Sequence, residues 1–265
     1  MRRSTLDLLR CPRCGAGSLV PEADVASVAM SFGPAKCVGC GARFPVHDGL
    51  IDLVDEARVQ TLVQQAMEHP WVARTWDRYV RPAVDGVLTR GRLDHDSEYT
   101  VLRTMIASPP GPVVDLGCGA GLVLRKLHRD LPNVPLIGVD VSRAMLEEAV
   151  AQLRENAESA DFVRAQVPGL PFVDRSVGAI IAVGLVHFIG DLDALLREVV
   201  RVLVPRGRFV ATTYEPSSFT RPLHTRAGLH PRDEIALRAA AERAGLIAFE
   251  RVKVPPFLLW KVERP

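Results

Sequence analysis

No apolar run in the 265 residues is long enough to cross a bilayer as a helix. The opening Met1-Arg2-Arg3-Ser4 lacks the apolar core of a secretory signal peptide. Neither sign of charge dominates. Lys and Arg number 33 against 31 Asp and Glu, a net charge of +2 that neither demands nor excludes nucleic acid. Nearly all the basic residues are arginine, a bias that GC-rich codon usage alone produces. Aromatics are sparse at 6%. No basic stripe interleaved with stacking aromatics is there to track a phosphate backbone. Internal repeats and low-complexity tracts are absent too. Cysteine is scarce at five residues, and four of them pair up near the start. Such thiols are best kept reduced, so the expected setting is the cytoplasm. Hydrophobic residues make up 48%, enough for one full α/β domain and a small module.

The most informative stretch is Val113-Val-Asp-Leu-Gly-Cys-Gly-Ala-Gly121. An apolar strand runs into Asp115, a glycine turn follows, and a helix begins near Leu122. Glycines allow positive φ and a close approach to a ligand, and the helix start offers free N–H groups. A dinucleotide fingerprint reads G-x-G-x-x-G. Here the third glycine comes one residue early, and Asp115 would repel a pyrophosphate. An acid at that position suits a ligand with an ammonium beside its carboxylate, such as the methionine end of S-adenosylmethionine. A second strand, Pro135–Val139, ends in Asp140, whose carboxylate can accept both ribose hydroxyls. Asp140 alone fits NAD equally well, so Asp115 and the glycine spacing carry the distinction.

These residues resemble the class I S-adenosylmethionine-dependent methyltransferases over roughly Ser97 to Pro265. Leu170-Pro171-Phe172 before strand Val177–Val183, and Leu195–Leu203 with Pro205 and Gly207, follow in the family's order. The resemblance implies a Rossmann-like seven-stranded α/β sheet with an antiparallel edge hairpin, Phe249–Val254 and Phe257–Val262. It also implies a cofactor site of Asp115, Gly117, Cys118, Gly119, Asp140, Val141, Met145, Ala165, Gln166, Val167 and Gly184. Gln166 stands where many relatives carry aspartate, and its amide still both accepts and donates. Gly178 and Arg206 are further departures. Met145 suits ordinary helix–sheet core as well as an adenine face.

Cys11-Pro-Arg-Cys14-Gly and Cys37-Val-Gly-Cys40-Gly are two knuckles separated by about twenty residues, the spacing of a four-thiolate zinc ribbon. Four cysteines leave no open coordination position, so such a zinc is structural. A redox pair, disulfides or buried thiols are the alternatives, and His47 ligates only if one cysteine does not.

The chain divides into a ribbon (1–54), a helical connector or substrate cap (55–110) and a cofactor-binding domain (111–265). Ser108-Pro-Pro-Gly-Pro112 breaks the connector from the first strand. Tyr214 to His230 reads as a lid segment, followed by a helix over Pro231 to Ala244. Methyl transfer by in-line displacement needs a base only if the nucleophile arrives protonated. His187, just past the fourth strand, is the first candidate, with Tyr214 and Glu215 next; a packed histidine and a polar loop start are the bland readings. Trp71, Trp76 and Tyr79 suit either an aromatic substrate wall or simple packing. The expected acceptor is an apolar or aromatic small molecule. The alternative is rRNA, because a ribbon ahead of this fold is similar to bacterial rRNA guanine methyltransferases. The sequence past the ribbon, Gln64–Trp71, lacks that family's arginine-rich helix. The ribbon's Gly49–Leu53 ending also resembles small ribbon proteins that activate methyltransferases, a resemblance that implies a brace for its own domain.

Overall fold

The computed structural model describes residues 1–22, 32–54, 62–156, 158–215 and 228–265. The ribbon contributes helix α1 (Arg3–Leu6) and strands β1 (Leu19–Pro21), β2 (Phe32–Cys37), β3 (Arg43–His47) and β4 (Leu50–Asp52). The connector holds α2 (Leu62–Met67), α3 (Pro70–Thr75), a π-helical turn (Trp76–Val80), α4 (Arg81–Thr89) and α5 (His95–Ile106). An alternation follows: β5 (Val113–Leu116), α6 (Leu122–Asp130), β6 (Leu136–Asp140), α7 (Arg143–Glu155), β7 (Asp161–Arg164), β8 (Val177–Val183), α8 (Leu192–Val202) and β9 (Leu203–Tyr214). Helix α9 (Glu234–Arg243) and strands β10 (Ile247–Val254) and β11 (Phe257–Glu263) close the chain.

The strands lie in the order β1-β2-β3-β4-β7-β6-β5-β8-β9-β11-β10. From β7 to β9 every pairing is parallel, and β11 and β10 add antiparallel to β9. This is the expected Rossmann-like seven-stranded sheet with its edge hairpin. Parallel strands covered on both faces read as continuous apolar runs. Strand β5 is buried throughout and β8 almost so. Helix α8 buries Leu192, Leu195, Leu196, Val199 and Val202 at helical spacing. Its Asp191 side chain accepts from Ala194 N at 2.8 Å and caps its start.

The ribbon is joined to this sheet rather than set apart from it. Strand β4 pairs parallel with β7, Leu50 opposite Phe162 and Asp52 opposite Arg164. Leu9 bridges Phe172, and Arg2 donates from its backbone N and its Nε to Asp161 at 3.0 and 2.7 Å. Ribbon residues Leu6, Leu9, Leu19, Val46 and Ile51 share one apolar cluster with Val139, Val163 and Phe172. A module of this size buries little core of its own, and the sheet edge supplies the remainder. The expected lid segment overlaps residues 216–227, which lie outside the described residues.

Candidate functional site

Strand β5 delivers Asp115 to the sheet's centre, where it is 2% exposed. The chain then turns through Gly117, at φ +70, and enters α6 after Gly121. A Cβ on Gly117 would stand 3.2 Å from the Leu185 side chain, so both its φ and its space call for glycine. The turn is stitched to β6: Gly117 N and Cys118 N donate to Val139 O at 2.7 and 3.1 Å. Gly119 N donates to Asp140 Oδ2 and Ser142 N to Asp140 Oδ1, both at 2.9 Å. Each Asp140 oxygen keeps a further lone-pair direction for a ligand hydroxyl.

A buried charge network not foreseen in the sequence faces these acids from the connector. Arg81 on α4 pairs with Glu98 of α5, and with Asp85 at 3.3 Å. Glu98 also accepts from Thr212 Oγ1 at 2.9 Å. Asp77, on the π-helical turn, lies 3.7 Å from Arg125, and its Oδ2 is buried with no hydrogen-bond partner among the described residues. π turns are frequent at functional sites. Burial pushes Asp115 up to about 8, against the pull of Arg81 and with Asp140, Asp77 and Glu98 adding to the rise. Burial raises Asp140 too, against the N–H groups of Ser142 and Gly119, and it raises Asp77 against Arg125 and Arg81. Carboxylates outnumber guanidiniums here, so the site is built for a cation. A ligand carrying an ammonium and a sulfonium fits that imbalance.

The ends of β6 and β7 rest on a relay. Buried Arg164 donates to Val141 O at 2.9 Å and to Asp52 Oδ2 at 3.0 Å. Ala165 N donates to Asp140 O at 3.0 Å. Glu68 accepts from Arg143 N and Ala144 N at 3.2 and 3.3 Å, capping α7 from the connector. Gln166 and Val167 follow β7, and Gly184, at φ +67, follows β8. Met145 packs with Ala73, Ala120 and Trp76. Trp71 and Tyr79 are 64% and 58% exposed. Trp76 is half-buried beside Met145.

His187 sits in a 3₁₀ turn, Val186–Phe188, at the carboxyl end of β8. Its ring is 4.5 Å from that of Phe188 and 6.4 Å from that of Tyr214. His187 O accepts from His230 N at 2.6 Å, and Arg232 donates to Ile189 O and Gly190 O at 2.7 and 2.8 Å. These bonds pin the His187 turn. Glu215 is not drawn to that group. It accepts from Glu234 N at 3.2 Å and pairs with Lys253 at 3.1 Å.

In the ribbon the Sγ atoms of Cys11, Cys14, Cys37 and Cys40 lie within 4.8 Å of one another. The Cys11–Cys40 and Cys14–Cys37 separations are 3.7 Å, too long for disulfides. Zn–S bonds of about 2.3 Å in a tetrahedron set S–S edges of about 3.8 Å, so the geometry fits a four-thiolate zinc. Gly17 N and Gly39 N point at Cys14 Sγ and Cys37 Sγ, both at 3.3 Å. Backbone N–H groups of Ala16 and Gly17 hold Cys14 down at about 6, as the N–H of Cys40 lowers Cys37. Gly17 is a hidden requirement, since a Cβ there would stand 2.3 Å from Cys37 Sγ. Its φ is unremarkable, and nothing in the C-x-x-C spacing marks it.

Residues 113–207 match a family model described as methyltransferase domain. The chain is 30% identical to an uncharacterized chloroplastic methyltransferase of Arabidopsis thaliana over 171 residues, 58% of this chain and 48% of that protein. It is 36% identical to the demethylmenaquinone methyltransferase of Thermotoga maritima over 122 residues, 46% of this chain and 51% of that protein. The chain thus spans about half the length of these curated relatives. Among solved structures, phosphoethanolamine N-methyltransferase 2 of Haemonchus contortus, with S-adenosyl-L-methionine, shares the fold. Its TM-score is 0.64 at 14% identity, covering 80% of this chain and 61% of that one.

Proposed function

We propose that this chain, whose residues 113–207 match a methyltransferase domain, is a class I S-adenosylmethionine-dependent methyltransferase that methylates an apolar or aromatic small molecule. The observation that carries this reading is the acid-rich glycine loop: Asp115, Asp77 and Asp140 converge on the carboxyl ends of β5 and β6. S-adenosylmethionine supplies an electrophilic methyl group on a sulfonium. Asp115 and Asp77 face its ammonium end, and Asp140 takes the ribose hydroxyls. Cys118, Gly119, Val141, Met145, Ala165, Gln166, Val167 and Gly184 border the cofactor. His187 lines the acceptor side with Tyr214 and takes the proton when the nucleophile carries one. Glu215, engaged with Lys253, holds the end of β9. The four cysteines hold a structural zinc, and the parts divide near residues 54 and 110.

A small acceptor suits the near-zero net charge. The name of the Thermotoga maritima relative, demethylmenaquinone methyltransferase, points to a small-molecule acceptor there, and the proposed setting is the cytoplasm. The test uses methyl-labelled S-adenosylmethionine and an extract of cells lacking the gene. Label in the solvent-extractable fraction is expected. Label in RNA would replace the small molecule with rRNA and make the ribbon its holder.

A further inference from the structure

Surface helices bury their apolar stripe and show charge to water. Helix α4 does the reverse. Arg81 and Asp85 turn inward to each other and to Glu98, and Thr89 is buried. The opposite arc carries Ala83, Val84, Val87 and Leu88, all exposed, with Val87 at 79%. Tyr79 and Trp71, earlier in the same stretch of chain, are exposed as well. Arg74, Arg78, Arg90 and Arg92 are exposed along the same stretch. No acidic side chain between 70 and 92 is exposed, because Asp77 and Asp85 point inward. Arg74 lies 4.0 Å from Glu148 of α7, and the next exposed acids along the chain, Asp94 and Asp96, lie at the start of α5. There Asp94 caps the helix and Asp96 pairs with Lys126 at 2.6 Å.

We propose that residues 70–92 form a docking face for an anionic lipid surface. Val84, Val87 and Leu88 enter the acyl boundary, Trp71 and Tyr79 lie at headgroup depth, and the arginines meet lipid phosphates. A second copy of the chain is the poorer occupant, because it would set one arginine fringe against another. The charge inside explains why the helix is inverted: Arg81 and Asp85 are committed to the network around Glu98, so the apolar arc has nowhere to go but out. This inference stands whatever the acceptor is.

The test sediments the purified full-length protein with phosphatidylcholine vesicles, and with vesicles that also contain phosphatidylglycerol. Half-sedimentation is expected at roughly tenfold less lipid with the anionic vesicles, with release by salt. The double variant V84E/V87E should need at least about tenfold more anionic lipid, and R90A/R92A should fall between it and the wild type. All three proteins should keep the same Tm, since none of these side chains is buried. Equal sedimentation on neutral vesicles, none on either, or no effect of V84E/V87E would overturn the proposal. So would a solution dimer that V84E/V87E dissolves, which would seat a second copy on this face.

Discussion

In the ribbon, N–H groups of Gly17 and Gly39 point at cysteine sulfurs. In the glycine loop, those of Gly119 and Ser142 point at the Asp140 carboxylate. Both turns use backbone dipoles to gather anions, yet they differ in what balances the charge. The thiols come from two short knuckles, with only a metal to neutralise them. The carboxylates face Arg81, brought in by the connector, and Arg125 of α6, and still remain in excess. On the proposed reading a cation is a structural part of the ribbon and a ligand at the loop. One site should fail by unfolding when its cation is lost, and the other should only empty.

The largest expected effect is at the ribbon. Structural zinc contributes on the order of 10 kcal/mol in small zinc modules. Cys14→Ser, or chelation, should remove one metal per chain and melt the ribbon first. Mass spectrometry of the native protein and a thermal scan check this. Metal-free protein with an unchanged melting profile would remove the contrast.

Next comes Arg81→Met. It leaves Glu98 buried without its guanidinium, at a cost of roughly 3–5 kcal/mol. Urea unfolding measures it, and adding Glu98→Gln should recover part of the loss. A third expectation concerns the ligand alone. Asp140→Ala should weaken S-adenosylmethionine binding by about 10- to 100-fold, the worth of one to two hydrogen bonds to a charged group. Calorimetry checks it, and unchanged affinity would remove Asp140 from the ribose.

The last expectation concerns pH and is read as a single proton. Asp115 titrates near 8 in the folded chain against 3.8 for the free side chain. The native state therefore holds a proton that the unfolded state has lost, and its stability declines as pH rises from about 4 to about 8. A cationic ligand favours the ionised form. Its binding should then release a proton at pH 7 and tighten up to about pH 8. Calorimetry in buffers of different ionisation heat reads the proton. Uptake instead of release would contradict the assignment of Asp115.

What the sequence made legible follows the same contrast. The cysteine knuckles and the Asp115–Gly121 turn are local, so spacing alone revealed them. The order of apolar strands implied the seven-stranded sheet, and the structure matches it. The pairing of β4 with β7 was not legible, because a three-residue strand leaves no periodic signal to name its neighbour. Arg81, Asp85 and Asp77 do share a helical face by spacing. A charged face is ordinarily read as the solvated one, and only the tertiary partners Glu98 and Arg125 turn it inward. Gly17 was missed because its need is spatial, set by Cys37 far along the chain. Trp71 and Tyr79 are exposed in the fold, a placement that the spacing of aromatics alone does not give.

The central claim is that the loop binds S-adenosylmethionine and not a dinucleotide. Its most direct test is calorimetric titration of the zinc-loaded wild-type protein with S-adenosylmethionine and, separately, with NAD. The account predicts saturable binding of one S-adenosylmethionine per chain and no measurable heat with NAD. Binding of NAD, or silence with S-adenosylmethionine, would contradict it.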